Sequence, residues 1–347
     1  MKLTERQFKC LLYFSFLGSK VLYFPKLTIH YLDQNGWIGI LLAGVLASVL
    51  IFIIPKQLFQ LSAAGPIIRL LIYVVVVIFT LLLFILEVII LSQFITLHYL
   101  MGTPTRVMLI VMLVVVLLLS RYKLEHVGRT AEVLQFLPTL SVIIIFLMAF
   151  MHLDFQTLMP LYLNEPMNLI KGSGVFFFIV FADGFVTLRL GEYLNDTSRV
   201  RTLYLQTLLK VLLIYLTVTV ITLMFLGAAL TKISTYPFFH MLMNIHWFRI
   251  IERIETIFSL FIIVTSVIKL TVFLFLICHS HGFKHTERFQ HISRFIVLLG
   301  LFYLSDYFLK PPIVIYPWLY DTGALIFLVL TLVLLLVYQL ARVKYKK

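Results

Sequence analysis

Leu17-Gly18-Ser19-Lys20-Val21-Leu22-Tyr23-Phe24-Pro25 decides how the rest of this sequence is read. The run lies in the middle of an apolar segment from Phe8 to His30. About 20 apolar residues cross the hydrocarbon core of a bilayer, so the segment is long enough to span. A spanning helix gains nothing from glycine, serine and lysine near half-depth, nor from a proline shortly after. Glycine costs about 1 kcal/mol in a helix interior and proline about 3. A lysine at the bilayer centre costs about 2.5–3.5 kcal/mol on insertion scales. Irregular backbone at that depth persists only where it is buried in protein or lines a wet cavity. The run therefore predicts a discontinuous helix at a ligand site.

The surrounding chain is that of a polytopic membrane protein. Of its 347 residues, 62% are hydrophobic and 12% charged, whereas a soluble domain is about a quarter charged. Ten apolar spans are expected, at Phe8–His30, Trp37–Ile54, Ile67–Thr96, Thr105–Leu119, Ala131–Met151, Gly172–Leu190, Leu203–Leu230, Glu255–Cys278, Ile292–Phe308 and Thr322–Leu340. No stretch between them is long and polar enough for a separate domain, so residues 1–347 read as one integral membrane domain. The first span is too long and too interrupted for a cleaved signal peptide.

The net charge of +13 suggests nucleic acid, but the placement of the charges argues for membrane topology instead. With the N-terminus inside, 19 of the 28 Lys and Arg residues fall on the cytoplasmic side and seven outside. Lys20 and Lys269 remain within the membrane. This is the positive-inside pattern, and it puts both termini in the cytoplasm. Cys10 and Cys278 both fall near cytoplasmic helix ends, where reduced thiols are expected. The outer segment from Thr231 to Ile254 mixes aromatic, methionine and charged residues, and predicts one or two interfacial helices on the outer surface.

Ten spans divide into five plus five, and an odd number per half forces opposite orientations, as in an inverted repeat. Span six then corresponds to span one. It carries Phe181-Ala182-Asp183-Gly184, an acid and a glycine inside an aromatic and aliphatic helix. Discontinuities in both spans are therefore expected. At 1.5 Å per residue, Lys20 lies roughly 16 Å from the inner surface and Asp183 roughly 18 Å from the outer. In a core about 30 Å thick these depths nearly coincide. Either Lys20 and Asp183 pair across the two broken helices, or each faces its own water pocket.

Other polar groups lie within spans. Tyr73, Thr80 and Glu87 are seven apart and share a face of span three. Glu87 is either a functional carboxylate or a protonated one bonded to a neighbouring helix. In span eight, Ser259, Ser266 and Lys269 lie near one face, with Thr265 one turn before Lys269. Lys269 either pairs inward or snorkels to the cytoplasmic surface. No nucleotide-binding glycine loop, HExxH or CxxC is present, and no cofactor or metal is expected. His279, His281 and His285 read as a solvated basic loop. Asn195-Asp196-Thr197 matches a glycosylation pattern but falls on the cytoplasmic side.

Three groups of residues carry a family resemblance. They are Leu3-Thr-Glu-Arg-Gln-Phe8 with Gly18-Ser19, Leu22-Tyr-Phe-Pro25 and Asn35-Gly-Trp37; Gly102-Thr-Pro104 with Gly128-Arg129-Thr-Ala-Glu132; and Tyr236-Pro237 with Ile251-Glu-Arg-Ile-Glu255 and Lys269. Over most of its length the chain resembles the B subunits of bacterial endospore germinant receptors, the Ger-type permease-like proteins. The resemblance implies the amino acid–polyamine–organocation transporter fold, an all-α membrane protein with helices one and six broken. It implies the spore inner membrane, a small nutrient ligand of amino-acid type, and association with an A subunit and a C-subunit lipoprotein. It implies ligand contacts at Gly18, Ser19, Ala182, Asp183 and Gly184, with Glu87 and Thr265 on the pocket walls. Lys20 departs from the small or apolar residue that many relatives of this fold place after the break. A fixed ammonium there predicts ligand binding without sodium. The competing expectation is an amino acid, polyamine or cation transporter with alternating access; no catalytic constellation supports an enzyme.

Overall fold

The computed structural model describes residues 2–53, 66–159, 166–194, 196–245, 253–278 and 287–309. The expected tenth span, the His279–His285 cluster and Asn195 lie outside the described residues. The described chain is helical, apart from one isolated parallel bridge between Leu3 and Leu194. Among the described residues, seven stretches are long and apolar enough to cross a membrane, and the shorter helix Thr105–Ser120 is apolar as well.

Span one is broken where expected. Helix α1 (Glu5–Leu17) opens on a capping box: Gln7 N–H donates to Thr4 Oγ1 at 3.2 Å, and Thr4 N–H to Gln7 Oε1 at 3.1 Å. It stops at Gly18, with φ 54° and ψ −151°. Essentially only glycine enters that region. Helix α2 (Lys20–Leu32) restarts at once and carries Pro25 inside it. The glycine makes the break, and the proline only removes one N–H from the ladder. The chain from Cys10 to Pro25 is buried without interruption.

The other helices surround this axis. They are α3 (Gly36–Ile53), α4 (Pro66–His98), α5 (Thr105–Ser120), α6 (Leu124–Leu134), α7 (Phe136–Ala149), α8 (Pro166–Thr187), α9 (Val200–Ile233), α10 (Pro237–Met243), α11 (Ile254–Cys278) and α12 (Glu287–Leu309). α1 packs against α6, α8, α9 and α11, and α2 against α3, α8, α9 and α10. Large apolar side chains on α3, α5, α7 and α12 are exposed, among them Val45, Ile110, Leu147 and Ile296. Such a belt suits lipid, which satisfies apolar surface as a protein core does.

Three departures from expectation have local causes. Span five is two helices, α6 and α7, because Pro138 lacks the N–H that would bond the carbonyl of Leu134. α9 is kinked at Gly227 (φ 71°, ψ 169°), and the Met224 carbonyl accepts instead from Asp154 N–H at 3.0 Å. Span six is not broken at Asp183-Gly184: α8 runs through both as regular helix and changes only at Leu188, into a 3₁₀ turn ending at Tyr193. Gly184 is needed for close approach. A Cβ there would lie 2.6 Å from Tyr204 Oη and 3.2 Å from the Phe16 ring.

The outer segment is corrected in part. α10 does form, but it does not lie on the surface. Pro237, Phe238, Phe239, Met241 and Leu242 are buried, and the helix sits in the bundle against α2, α9 and α11. Its aromatic side chains find protein there, which removes their need for the interface.

Candidate functional site

Breaking α1–α2 in mid-membrane leaves main-chain groups that must be satisfied, since none can reach bulk water. At the α2 end, Ser19 N–H donates to Glu87 Oε1 at 2.5 Å. Ser266 Oγ donates to the same oxygen at 2.7 Å. At the α1 end, Tyr215 Oη donates to the carbonyls of Phe16 and Leu17 at 2.9 and 3.2 Å. Tyr215 is held by Phe24, whose ring centroid lies 4.3 Å from its own. Gly18 is required twice over. Beyond its φ, a Cβ would collide with the Glu87 carboxylate and lie 2.8 Å from Lys269 Cδ.

Four buried charges meet at this break. Lys269 Nζ lies 3.0 Å from Glu87 Oε2 and 3.0 Å from Asp183 Oδ2. Lys20 Nζ lies 2.6 Å from the same Asp183 oxygen and donates to the Ile179 carbonyl at 2.8 Å. Formally, two ammonium and two carboxylate groups cancel. The order Glu87–Lys269–Asp183–Lys20 alternates in sign across α4, α11, α8 and α2. Isolated, any of these charges would be expelled from hydrocarbon; linked, each finds an opposite partner. Two side-chain atoms at the site stay buried without a hydrogen-bond partner, Ser19 Oγ and Asp183 Oδ1.

The structure thus brings together Gly18, Ser19, Lys20, Glu87, Asp183 and Lys269. Of the open alternatives, Lys20 does pair with Asp183, Lys269 turns inward, and Glu87 engages a main-chain N–H. Thr265 lies opposite Gly18 across a small cavity of about 20 Å³, also lined by Val21, Phe258 and Ile262. That is room for about one water. Thr265 Oγ1 itself bonds back to the Ile262 carbonyl at 2.8 Å. Ala182 is buried. Gly184 faces away from the charges, toward Phe16 and Tyr204. A larger cleft of about 350 Å³ lies beside α11 at the level of Lys269, lined by Tyr122, His126, Thr130, Ile268 and Thr271.

Tyr215 and the Ile179 carbonyl were not legible as site groups. A tyrosine in an apolar span needs a hydrogen-bond partner, but with 17 tyrosines in the chain that requirement singles out none. Of the expected stripe on span three, Glu87 alone reaches the site. Tyr73 donates to the Ile277 carbonyl at 3.2 Å, and Thr80 to Val76 of its own helix at 2.6 Å.

Comparison with known proteins agrees with this architecture. Residues 2–312 match a family model described as spore germination protein, the spore permeases. The chain belongs to that family. No curated protein sequence matches it. Among solved structures, a Na⁺-coupled sialic acid symporter in a substrate-bound outward-open state is similar in fold, with a TM-score of 0.59. The two are 12% identical, and the match covers 93% of this chain and 74% of the symporter. The chain is accordingly an integral membrane protein of transporter fold, and its family and structural neighbour are permeases and transporters rather than enzymes.

Proposed function

We propose that this chain is the membrane subunit of a germinant receptor, sensing a small nutrient of amino-acid type at the Gly18-Ser19 break. On this proposal ten spans in an inverted five-plus-five arrangement form one domain in the spore inner membrane, with both termini in the cytoplasm. An A subunit and a C-subunit lipoprotein read its conformation and start germination. The single observation that carries the proposal is the buried main-chain break ringed by four alternating charges. Its polar ends and charged walls supply partners for both a carboxylate and an ammonium.

A ligand acts here by binding one arrangement of the helices better than another. Moving a 1:99 population to 99:1 takes about 5.5 kcal/mol of differential affinity. Lys20 and Lys269 place fixed ammonium groups beside the break, so binding proceeds without sodium.

Transport is the second reading, favoured by the fold shared with a symporter. Vesicles reconstituted with the full-length chain separate the two. The sensing proposal expects saturable binding of an amino acid with no uptake of the labelled compound. Saturable, concentrative uptake by the chain alone would replace it with transport.

A further inference from the structure

The α2 N-terminus at Ser19 is where a ligand carboxylate would be expected to dock, yet a carboxylate already sits there. Glu87 Oε1 accepts from Ser19 N–H at 2.5 Å and from Ser266 Oγ at 2.7 Å. Glu87 is buried and belongs to α4, 68 residues away in sequence. Close by, Asp183 Oδ1 is buried with no hydrogen-bond donor, although Asp183 Oδ2 receives both Lys20 and Lys269. An ionised carboxylate oxygen only accepts, so Oδ1 lacks a donor. Ser19 Oγ is buried and unpartnered as well.

We infer that Glu87 is a built-in substitute for the ligand's carboxylate. The ligand is a small acid with a hydrogen-bond donor on the neighbouring carbon, an amino or hydroxy acid. Its carboxylate displaces Glu87 Oε1 from Ser19 N–H, and its amino or hydroxyl group donates to Asp183 Oδ1. Glu87 keeps Lys269 through Oε2, 3.0 Å away, so the exchange swaps one acceptor at the helix end and leaves the ion pair in place. No covalent bond changes. Glu87 thereby holds the break closed until an acid of the right size competes for it. The sensing proposal supplies the biological role of that acid; the substitution by Glu87 stands on the geometry of the break.

Two experiments on the full-length protein in detergent test this. The first is rescue. Glu87→Ala removes the resident carboxylate, and sodium formate then raises the variant's melting temperature, whereas formamide or sodium chloride at equal concentration does not. The wild type, with Glu87 in place, does not respond to formate. A variant indifferent to formate, or a wild type that gains equally, overturns the inference.

The second measures binding of the proteinogenic amino acids and of their amides, and keeps the question open to refutation should Glu87→Ala not fold. Glu87→Gln preserves the shape and weakens the competitor. It tightens binding of the amino acid held by the wild type at least about tenfold, the worth of one charge-assisted hydrogen bond no longer displaced. The amide of that amino acid gains nothing. Asp183→Asn adds the same net charge but replaces the carboxylate that faces the amino group with a neutral amide, half donor and half acceptor, and weakens binding. Equal gains for acid and amide, or a gain with Asp183→Asn, reduce Glu87 to a general electrostatic effect and overturn the inference. Should no amino acid bind the wild type while formate rescues Glu87→Ala, the amino-acid reading fails and the substitution survives. Should amino acids bind and formate fail to rescue, the reverse holds.

Discussion

Spans one and six each place a glycine within two residues of a charged one deep in the membrane, and they behave differently. At Gly18 the main chain turns to φ 54° and the helix stops. At Gly184 the helix continues to Thr187. What separates them is the use made of the missing side chain. Gly18 supplies a backbone conformation that other residues avoid, and it also admits Glu87 and Lys269. Gly184 supplies only room, for Tyr204 and Phe16. The charged neighbours differ too. Asp183 reaches its lysines from an intact helix, because a carboxylate on a short stem needs no broken backbone to meet two ammonium groups. The Ser19 amide, in contrast, is freed by the break itself.

The largest test of that contrast is alanine at each glycine. Gly18→Ala combines a nearly glycine-only conformation, about 1–3 kcal/mol, with a collision worth a similar about 1–3 kcal/mol. It should abolish or strongly lower recovery of folded protein. Gly184→Ala keeps helical geometry and needs only a shift of Tyr204, a loss of about 1–3 kcal/mol. Thermal unfolding in detergent orders the two; equal losses would mean that Gly18 too is there only for space.

Next in size are the charges. Asp183→Asn leaves two buried ammonium groups without their shared partner, a loss of about 3–5 kcal/mol. Adding Lys20→Met should restore only part of it, because Lys269 also rests on Asp183, at 3.0 Å. Full restoration in the double variant would make Lys20–Asp183 an isolated pair and dissolve the four-charge cluster. Tyr215→Phe should cost about 1–3 kcal/mol by stranding the Phe16 and Leu17 carbonyls. A neutral outcome there would show that the α1 end is satisfied by other means. The smallest expected effect is that of sodium. Replacing sodium chloride by choline chloride at constant ionic strength should leave the melting temperature and amino-acid binding of the wild type unchanged. A sodium-dependent shift in either would mean that the lysines do not fill the cation's place.

Much of this was legible from residue chemistry. The similar depth of Lys20 and Asp183 is legible, because a rise of 1.5 Å per residue turns sequence position into membrane position, but depth leaves open whether they pair. Pro25 drew attention to the right segment but not to the right residue. The supposed break at Gly184 failed because glycine in sequence does not reveal whether it serves conformation or contact. Aromatic and charged residues in one loop make α10 look interfacial. Phe238 and Met241 in fact pack inside the bundle, and nothing local distinguishes an aromatic side chain bound for protein from one bound for the interface.

The sequence by itself determined that the chain lives in a membrane, that its first span breaks, and that lysines and carboxylates are carried to mid-depth. Those follow from transfer energies and backbone sterics, which act on each segment alone. Only the tertiary structure decided who pairs with whom. It gave the Ser19 amide to Glu87, made Lys269 the link between Glu87 and Asp183, and kept α8 whole. The reason is that a buried charge must find an opposite partner but does not specify which, and the packing of α2, α4, α8 and α11 makes the choice.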